Sequence, residues 1–405
     1  MDKFLKADFV SRPEQDPVYK ALIFIVLLTP VCLHGCIERY YPDKDQVRSG
    51  VLVIVGHLES KAGKQRIQIS QSASIGNSTY QPLSGYYVEV ERLDGEFRVF
   101  DEDEAGSYQA YLDEEFLLTG HDYRLKVLSP EGRSYESSFE RMFPAPVIDT
   151  VWFELEELMD RDTELKDQGI RFFIDFEIDQ DSGRYLRWEL EETFEIHNPD
   201  YETRMFGTDR RFHEVTGSMK TLDCWITRDI PGIYTQDLGN MMGEHYHRFR
   251  LNYVSGSTWR LLHRYSLLVR QYSLGDKAFW YWDELSKNLS TQGNLFDRQP
   301  ALTPSNICNP DDPEERVIGY FSVSGVCEKR IFVEQVPGLE VFQDPFYCAP
   351  LSPPPMFLHY YPIEELPIYI ARGYVLGHYE EGRVDEKCLD CSLYKGSTDE
   401  KPSYW

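Results

Sequence analysis

The chain has 405 residues and a formal net charge of −26 at pH 7, with 68 acidic residues against 42 basic ones. So acidic a chain repels phosphate backbones and anionic headgroups, which excludes nucleic acid and an electrostatically bound membrane surface as partners. Aromatic residues make up 14% of the sequence, and because such rings are enriched in pleated sheets, we expect a mainly β protein.

An export signal is predicted at the start of the chain. Residues 21–36, ALIFIVLLTPVCLHGC, combine an apolar core with small and apolar residues before Cys36, and Lys20 precedes the core. The apolar run is shorter than the ~20 residues that cross a bilayer as a helix, which favours a cleaved signal over an uncleaved anchor. The pattern resembles a bacterial lipobox. It predicts residues 1–35 as a lipoprotein signal peptide and Cys36 as the lipid-carrying residue that attaches the protein to the membrane.

A tether and a first β domain are expected next. Residues 36–50 are polar and have no sustained period, so we interpret them as a tether. Strand-like runs follow at 51–58, 65–72, 86–92, 97–100, 108–112, 123–128 and 134–140. Turn sequences at 93–96 and 129–132 separate two such runs each and indicate hairpins. This density of short strands predicts an immunoglobulin-like β-sandwich over residues 51–146.

Two prolines within residues 142–146 interrupt that pattern, and residues 147–405 are predicted to form a larger β-rich C-terminal domain. Residues 156–167 are acidic and are interpreted as a loop. The main strand runs of this domain are expected at 171–178, 185–196, 218–228, 246–254, 259–272, 317–323, 330–333 and 368–376. The runs at 246–254 and 259–272 flank Ser255-Gly256-Ser257 and predict a long hairpin.

One helix is expected, at about 274–289. Ser273 can cap its first turn, and Asp276 follows three residues later. One face carries an apolar stripe at helical spacing, whereas Trp280 falls on the polar side. So large a ring on a polar face is either covered by a neighbouring loop or contacts a ligand or partner. We therefore take Trp280 and neighbouring Tyr281 as candidate contact residues.

Disulfides are expected from the cysteine content. Eight cysteines occur, and Cys32 and Cys36 belong to the signal and the anchor. The remaining even set, in an exported chain, predicts disulfides; its members are Cys224, Cys308, Cys327, Cys348, Cys388 and Cys391. Only the pairing of Cys308 with Cys327 is plausible from local sequence, and the full connectivity stays open. The CxxC at 388–391 could be a redox pair or half a metal site, but without a second CxxC or a βαβ pattern we favour structural bonding.

Common catalytic and nucleotide-binding signatures are missing from the sequence, including GxSxG, HExxH, the phosphate-binding GxxxxGK pattern and GxGxxG. We therefore predict no catalytic residues, no cofactor and no metal. Two weaker metal patterns remain conceivable. Residues 179–183 have the DxDxG outline of a calcium loop but lack its downstream bidentate Glu. His245, His247 and His263 could converge if their strands pair, although most such histidines are hydrogen-bonded sheet residues.

Several motifs in a fixed order resemble a known family. They are GSY at 106–108, GHDYRL at 120–125, GRSYES at 132–137, WYW at 280–282, NLFDRQP at 294–300, IGYFS at 318–322, KRIFV at 329–333, CLDC at 388–391 and KPSYW at 401–405. Together they span roughly residues 38–405. This set resembles a Bacteroidota lipoprotein family called domain of unknown function 4249.

The resemblance implies a lipid-anchored outer-membrane protein at the cell surface, with the periplasmic face as the alternative. It also implies a TonB-dependent outer-membrane transporter as a neighbour, and no established chemistry. We therefore expect a non-enzymatic accessory or ligand-binding component of an uptake system. The alternatives are a structural or adhesive envelope protein and a glycan or peptide hydrolase, which would need paired carboxylates inside a deep cleft.

Overall fold

The computed structural model describes residues 50–73, 79–159, 166–178, 182–239, 245–290, 304–341, 347–351, 356–375 and 377–405. Cys36, the export signal and nearly all of the expected tether lie outside the described residues. So do residues 179–181, the centre of the conceivable calcium loop. Within the described ranges the protein is mainly β, as the sequence predicts.

The strands and the helix are labelled in chain order. The first strands are β1 (Leu52–Glu59), β2 (Gly63–Gln71), β3 (Gln81–Pro82), β4 (Tyr87–Arg92), β5 (Phe97–Glu104), β6 (Ser107–Leu112), β7 (Asp122–Leu128), β8 (Ser134–Ser137) and β9 (Glu140–Arg141). After them come β10 (Ile148–Met159), β11 (Lys166–Glu177), β12 (Tyr185–His197), β13 (Glu202–Phe206), β14 (Phe212–Val215), β15 (Asp223–Asp237), β16 (His245–Ser255), β17 (Tyr265–Leu274) and the helix α1 (Asp276–Ser290). The last strands are β18 (Ile307–Cys308), β19 (Val317–Ile318), β20 (Phe321–Ser324), β21 (Val326–Val333), β22 (Ile368–Val375), β23 (His378–Val384) and β24 (Ser397–Thr398).

The first sheet combines the early strands with three that come much later in the chain. Its order is β18-β8-β7-β4-β5-β6-β2-β1-β19, and β20 also pairs with β1. The predicted hairpins β4–β5 and β7–β8 both form. Buried side chains from distant strands of this sheet, such as Ile54 of β1 and Tyr135 of β8, belong to one hydrophobic core. The sheet therefore curves around that core, and the chain leaves it after Arg141 and returns to it at Ile307.

Two further sheets share a second hydrophobic core. One has the order β10-β11-β16 and the other β21-β17-β12-β15-β24. Trp188 of β12 is fully buried between them, with its ring 4.2 Å from that of Phe249 on β16 and 5.8 Å from that of Phe176 on β11. Because large aromatic rings remove the most apolar area from water, such contacts hold the two sheets together.

The predicted hairpin around Ser255-Gly256-Ser257 is wrong. β16 pairs with β11, whereas β17 pairs with β12 and β21, so the two strands lie in different sheets. The segment between them carries the chain from one sheet to the other and includes a short 3-10 turn at Trp259–Leu261. Alternation indicates a strand and its buried face, but not which strand it pairs with.

The predicted acidic loop at 156–167 is wrong at both of its ends. β10 continues to Met159 and β11 begins at Lys166. Cross-strand ion pairs offset the density of acid: Arg171 Nε lies 2.6 Å from Glu156 Oε2, and Lys166 Nζ lies 2.8 Å from Glu157 Oε1. Opposite charges at diagonal positions across a ladder favour a strand at a sequence that otherwise indicates a loop.

The helix α1 begins at Asp276, two residues later than predicted. Ser273 is not its cap, because this residue belongs to β17 and its hydroxyl donates to the backbone oxygen of Phe143. Ala278 and Phe279 pack the helix against Tyr185. Nowhere in the described chain is a helix both long and apolar enough to cross a membrane. A fourth sheet, β14-β13-β22-β23, completes the described architecture.

Candidate functional site

An open cleft lies where β10, β12 and β21 meet the segment that leads into β17. Its volume is about 780 Å³, within the range of about 300–1,000 Å³ that is usual for small-molecule pockets. The apolar part of its lining comes from Phe153, Leu262, Phe332 and Val333, and the charged or titratable part from Glu195, His263, Arg264 and Glu334. The cleft is therefore a mixed site that can hold an apolar group and orient a polar one.

Arg264 supplies the cation of this cleft. Its guanidinium packs over the ring of Phe332 at 4.3 Å and over that of Trp405 at 5.3 Å, and these cation–π contacts fix its position. Its Nε lies 3.7 Å from Glu334 Oε1, which is beyond hydrogen-bond range. Within the described residues this buried Nε has no hydrogen-bond partner. The Arg264 side chain as a whole is 31% exposed, so its positive charge favours a ligand that brings an oxygen acceptor.

His263 is the second polar group of the cleft. Its ring centroid lies 4.2 Å from that of His197. Burial lowers the pKa of His263, and the neighbouring His197 lowers it further. His263 is thus a neutral imidazole at pH 7, with one nitrogen that donates and one that accepts. His263 can therefore hydrogen-bond to a hydroxyl group of a ligand as well as to an acidic group.

Glu195 is the anionic group of the cleft. Trp405 Nε1 donates to Glu195 Oε1 at 2.5 Å, and His197 Nε2 lies 3.3 Å from Oε2. Burial alone would raise the pKa of Glu195, but the hydrogen bonds from Trp405 and His197 outweigh it, so the pKa is lowered. The cleft therefore offers a cation, a neutral imidazole and an ionised carboxylate between aromatic walls.

The conceivable three-histidine metal site is wrong. His245 and His247 lie side by side on β16, with ring centroids 6.1 Å apart. His263 lies before β17, in a different sheet, against His197. Sequence analysis thus selected His263 as a candidate residue but predicted the wrong neighbouring side chains for it.

Three further residues of the cleft were missed by sequence analysis: Arg264, Glu195 and Phe332. Arg264 directly follows His263 in a segment dense in basic and aromatic residues, which is the one local signal that could have indicated a site. Nothing local distinguishes Glu195 among the many acidic residues, because it enters the cleft only through the pairing of its strand.

Trp280 and Tyr281 differ in their surroundings. Trp280 is 54% exposed on α1, and Lys287 Nζ lies 6.0 Å from the centre of its ring. Tyr281 is half-buried and packs its ring 4.7 Å from that of Tyr320. Tyr281 therefore helps to dock the helix, whereas Trp280 offers a large free ring surface. A ligand or partner contact at these residues stays a prediction.

Among the described residues two disulfides form, Cys224–Cys391 and Cys348–Cys388. The locally plausible pair is wrong, since Cys308 and Cys327 carry free thiols. Cys308 lies on β18, which pairs with β8 in the first sheet, while Cys327 lies on β21, which pairs with β17. Each cysteine of the CxxC is bonded to a distant residue, so this motif joins segments of the fold. This agrees with the structural bonding predicted from the sequence.

An exposed aromatic surface lies on the fourth sheet. Tyr374 of β22 and Tyr379 of β23 face each other across the ladder, with ring centroids 5.3 Å apart. They are 63% and 74% exposed, and the guanidinium of Arg372 lies 5.8 Å from the ring of Tyr379. We call Tyr374 and Tyr379 the tyrosine pair. Exposed rings in contact with each other mark a surface suited to a partner.

A family model described as Domain of unknown function (DUF4249) matches residues 37–330. The match includes His263, Arg264 and Glu195, while Phe332 and Trp405 lie beyond it. No curated protein matches the chain.

Solved structures resemble the chain only weakly. One is a DUF4785 family protein from Legionella pneumophila, with 14% identity, a TM-score of 0.19 and coverage of 54% of this chain and 50% of that one. Another is a cycloalternan-degrading enzyme from Trueperella pyogenes, with 13% identity, a TM-score of 0.15 and coverage of 73% and 33%. The BSP domain of a biofilm associated protein has 7% identity, a TM-score of 0.11 and coverage of 73% and 61%. The chain spans about half of the Legionella protein and a third of the Trueperella enzyme. TM-scores at this level carry no inference about activity.

Proposed function

This chain belongs to the family of domain of unknown function 4249, and we propose that it is a lipid-anchored ligand-binding or accessory protein of the cell envelope. Lipid on Cys36 attaches it to the outer membrane, on the cell surface or alternatively on the periplasmic face. A TonB-dependent outer-membrane transporter is its partner in an uptake system. The proposal includes an immunoglobulin-like sandwich over residues 51–146, supported by the alternating strands β1 to β9.

The observation that carries this proposal is the cleft between β10, β12 and β21. Binding sites combine a concave, largely apolar surface with a few placed polar groups. Here Phe153 and Phe332 supply the apolar surface, while Arg264, His263 and Glu195 supply the polar groups. The partly exposed, positively charged side chain of Arg264 favours a ligand with an apolar body and an oxyanion or hydroxyl acceptor.

The cleft is expected to bind anilinonaphthalene sulfonate, a fluorescent probe with aromatic rings and one sulfonate. Arg264→Gln removes the cation and should weaken binding on the order of tenfold or more, because hydrogen bonds to charged groups contribute about 1.5–3 kcal/mol. Fluorescence titration of the full chain measures this change. Arg372→Gln is the matched control, since this Arg also lies over an aromatic ring but at the tyrosine pair. Equal weakening in both variants would mean that the probe binds exposed rings rather than the cleft.

The partner is tested by purifying the tagged lipoprotein from native membranes in mild detergent. Mass spectrometry is expected to identify a TonB-dependent transporter in the purified material. Cys36→Ala removes the lipid-acceptor thiol, so this variant should lose both lipid labelling and the transporter. Repeated failure of the wild-type protein to retain a transporter would contradict the partner. Continued lipid labelling of Cys36→Ala would contradict the anchor.

A second candidate function is a structural or adhesive role in the envelope. The tyrosine pair favours it, because two contacting rings that are mostly exposed can add apolar area to an interface with a surface outside the cell. Under this alternative, loss of the protein would alter attachment or envelope integrity and leave growth on every nutrient unchanged.

A further inference from the structure

Three side chains of types that can bind a metal ion converge at one end of the sheet β10-β11-β16, outside the cleft. Asp149 comes from β10, Glu177 from β11 and His245 from β16. One ligand atom from each lies within 4.8 Å of the others. Glu177 and His245 are direct partners across the β11–β16 ladder. Each strand of this sheet therefore contributes one donor to the same point.

The distances among these donors leave room for an ion. His245 Nδ1 lies 3.5 Å from Glu177 Oε1 and 3.9 Å from Asp149 Oδ2. Both separations exceed the range of about 2.7–3.2 Å for a hydrogen bond. Ligand atoms around a tetrahedral ion with bonds of about 2.0–2.2 Å lie about 3.3–3.6 Å apart. The distance from His245 to Glu177 already matches such an ion. The distance from His245 to Asp149 matches after a movement of a few tenths of an ångström.

A β-bulge accounts for the position of Asp149. The register between β10 and β11 shifts between Ile148 and Thr150, so Asp149 has no partner in the ladder. A bulge bends its strand and re-aims the side chain, which brings this carboxylate toward Glu177 and His245. Because the bulge depends on pairing, sequence alternation alone did not reveal the cluster.

The charges around the cluster favour a cation. In the described chain, His245 is the only ion-pair partner of either carboxylate. Arg248 is engaged elsewhere, since its guanidinium donates to both carboxylate oxygens of Glu154 at 2.9 and 2.6 Å. Lys329 opposes a bound cation, but its Nζ donates to the backbone oxygen of Asp149, at 2.5 Å, rather than to the carboxylate. Two carboxylates against one lysine leave an excess of negative charge.

We propose that Asp149, Glu177 and His245 form a binding site for one Zn²⁺ ion. An imidazole nitrogen with two carboxylate oxygens suits zinc, whereas Ca²⁺ and Mg²⁺ prefer oxygen ligands alone. Three protein ligands leave one position of a tetrahedral ion open. All three residues are exposed, so that position faces solvent and can accept water or a side chain of a partner.

Isothermal titration of the chelator-treated full chain with ZnCl₂, without a polyhistidine tag, tests this site. The protein should carry Cys308→Ser, because that exposed free thiol is itself a zinc ligand. We expect one zinc ion per chain, at a site for which excess CaCl₂ does not compete. His245→Ala and Glu177→Gln should each weaken binding at least about tenfold, given that losses of this size follow even from changes next to a ligand. Both side chains are exposed, so the fold should tolerate these changes.

His213→Ala is the matched control for His245→Ala. His213 is similarly exposed and contacts a carboxylate, with Nε2 3.0 Å from Asp209 Oδ2, but among the described residues Asp209 is its only ion-pair partner. Zinc affinity should be unchanged in this variant. Absence of zinc binding would overturn the proposal, as would binding that survives His245→Ala and Glu177→Gln. Cobalt substitution gives a second readout, because the visible absorption of Co²⁺ in a site with an imidazole ligand should disappear in His245→Ala and persist in His213→Ala.

Discussion

Replacing Cys391 by alanine is expected to lower the free energy of unfolding by about 5 kcal/mol. Cys391 is bonded to Cys224 across a sequence separation of 167 residues. In the chain-entropy model a disulfide stabilises by restricting the unfolded chain, and the effect grows with the length of the loop. Both cysteines are fully buried, so the variant also loses packing. The denaturation midpoint in urea under non-reducing conditions, followed by tryptophan fluorescence, measures the loss.

Two other variants test whether the loss of stability comes from this disulfide or follows from replacing any cysteine. Cys348→Ala removes the disulfide with the shorter separation of 40 residues, for which the same model gives about 4 kcal/mol. Cys308→Ala changes an exposed free thiol and should leave the midpoint unchanged. A large loss with Cys308→Ala, and none with Cys391→Ala, would show that the cysteines pair differently in the folded protein.

The Cys224–Cys391 disulfide also bears on the cleft. Cys224 lies on β15, and the segment after Cys391 continues through β24, which pairs with β15. The chain then reaches Trp405, which donates to Glu195 and packs against Arg264. The disulfide thus restrains the segment that positions two polar groups of the cleft. Weaker probe binding by Cys391→Ala, at a urea concentration where it is still folded, would fit this connection.

Local patterns predicted most of the strands, and two of the three predicted hairpins form. The alternation that indicated strands at 123–128 and 134–140, with a turn at 129–132, also predicted the pairing, because a short turn places β8 directly beside β7. At residues 255–257 the same reasoning failed. There β16 pairs with β11 and β17 pairs with β12, so each strand's partner lies far away in the sequence.

The candidate sites show the same limit. Trp280 was identifiable because helical periodicity alone places it on a polar face, and it is exposed. The cleft and the proposed zinc site could not be predicted, since each combines residues from several strands. Asp149 approaches Glu177 and His245 only because of a bulge, and Arg264 approaches Glu195 only because β12 pairs with β17, the strand that directly follows Arg264. Conversely, the export signal and Cys36 are indicated by the sequence alone.

The second core should be sensitive to a change in packing at Trp188. Trp188→Ala is expected to cost about 3–5 kcal/mol of stability, because it removes a fully buried ring that lies between the two sheets. Trp188→Phe retains a ring but removes the indole N–H, which donates to Gln271 Oε1 at 2.8 Å. Gln271 is itself fully buried, so an unpartnered oxygen there should cost about 1–3 kcal/mol.

The same hydrogen bond gives Trp188 a role beyond its own core. Gln271 Nε2 donates to the backbone oxygen of Pro146 at 2.7 Å, in the segment that leads from the first sheet into β10. Trp188 therefore holds Gln271 in position, and Gln271 in turn holds the segment at Pro146. Trp280→Ala is the matched control, since an exposed tryptophan should change stability by no more than about 0.5 kcal/mol. Urea midpoints that fall equally in Trp188→Ala and Trp280→Ala would contradict the position of Trp188 between the sheets. A midpoint for Trp188→Phe that lies between those of Trp188→Ala and the wild type would separate the contribution of the ring from that of its hydrogen bond.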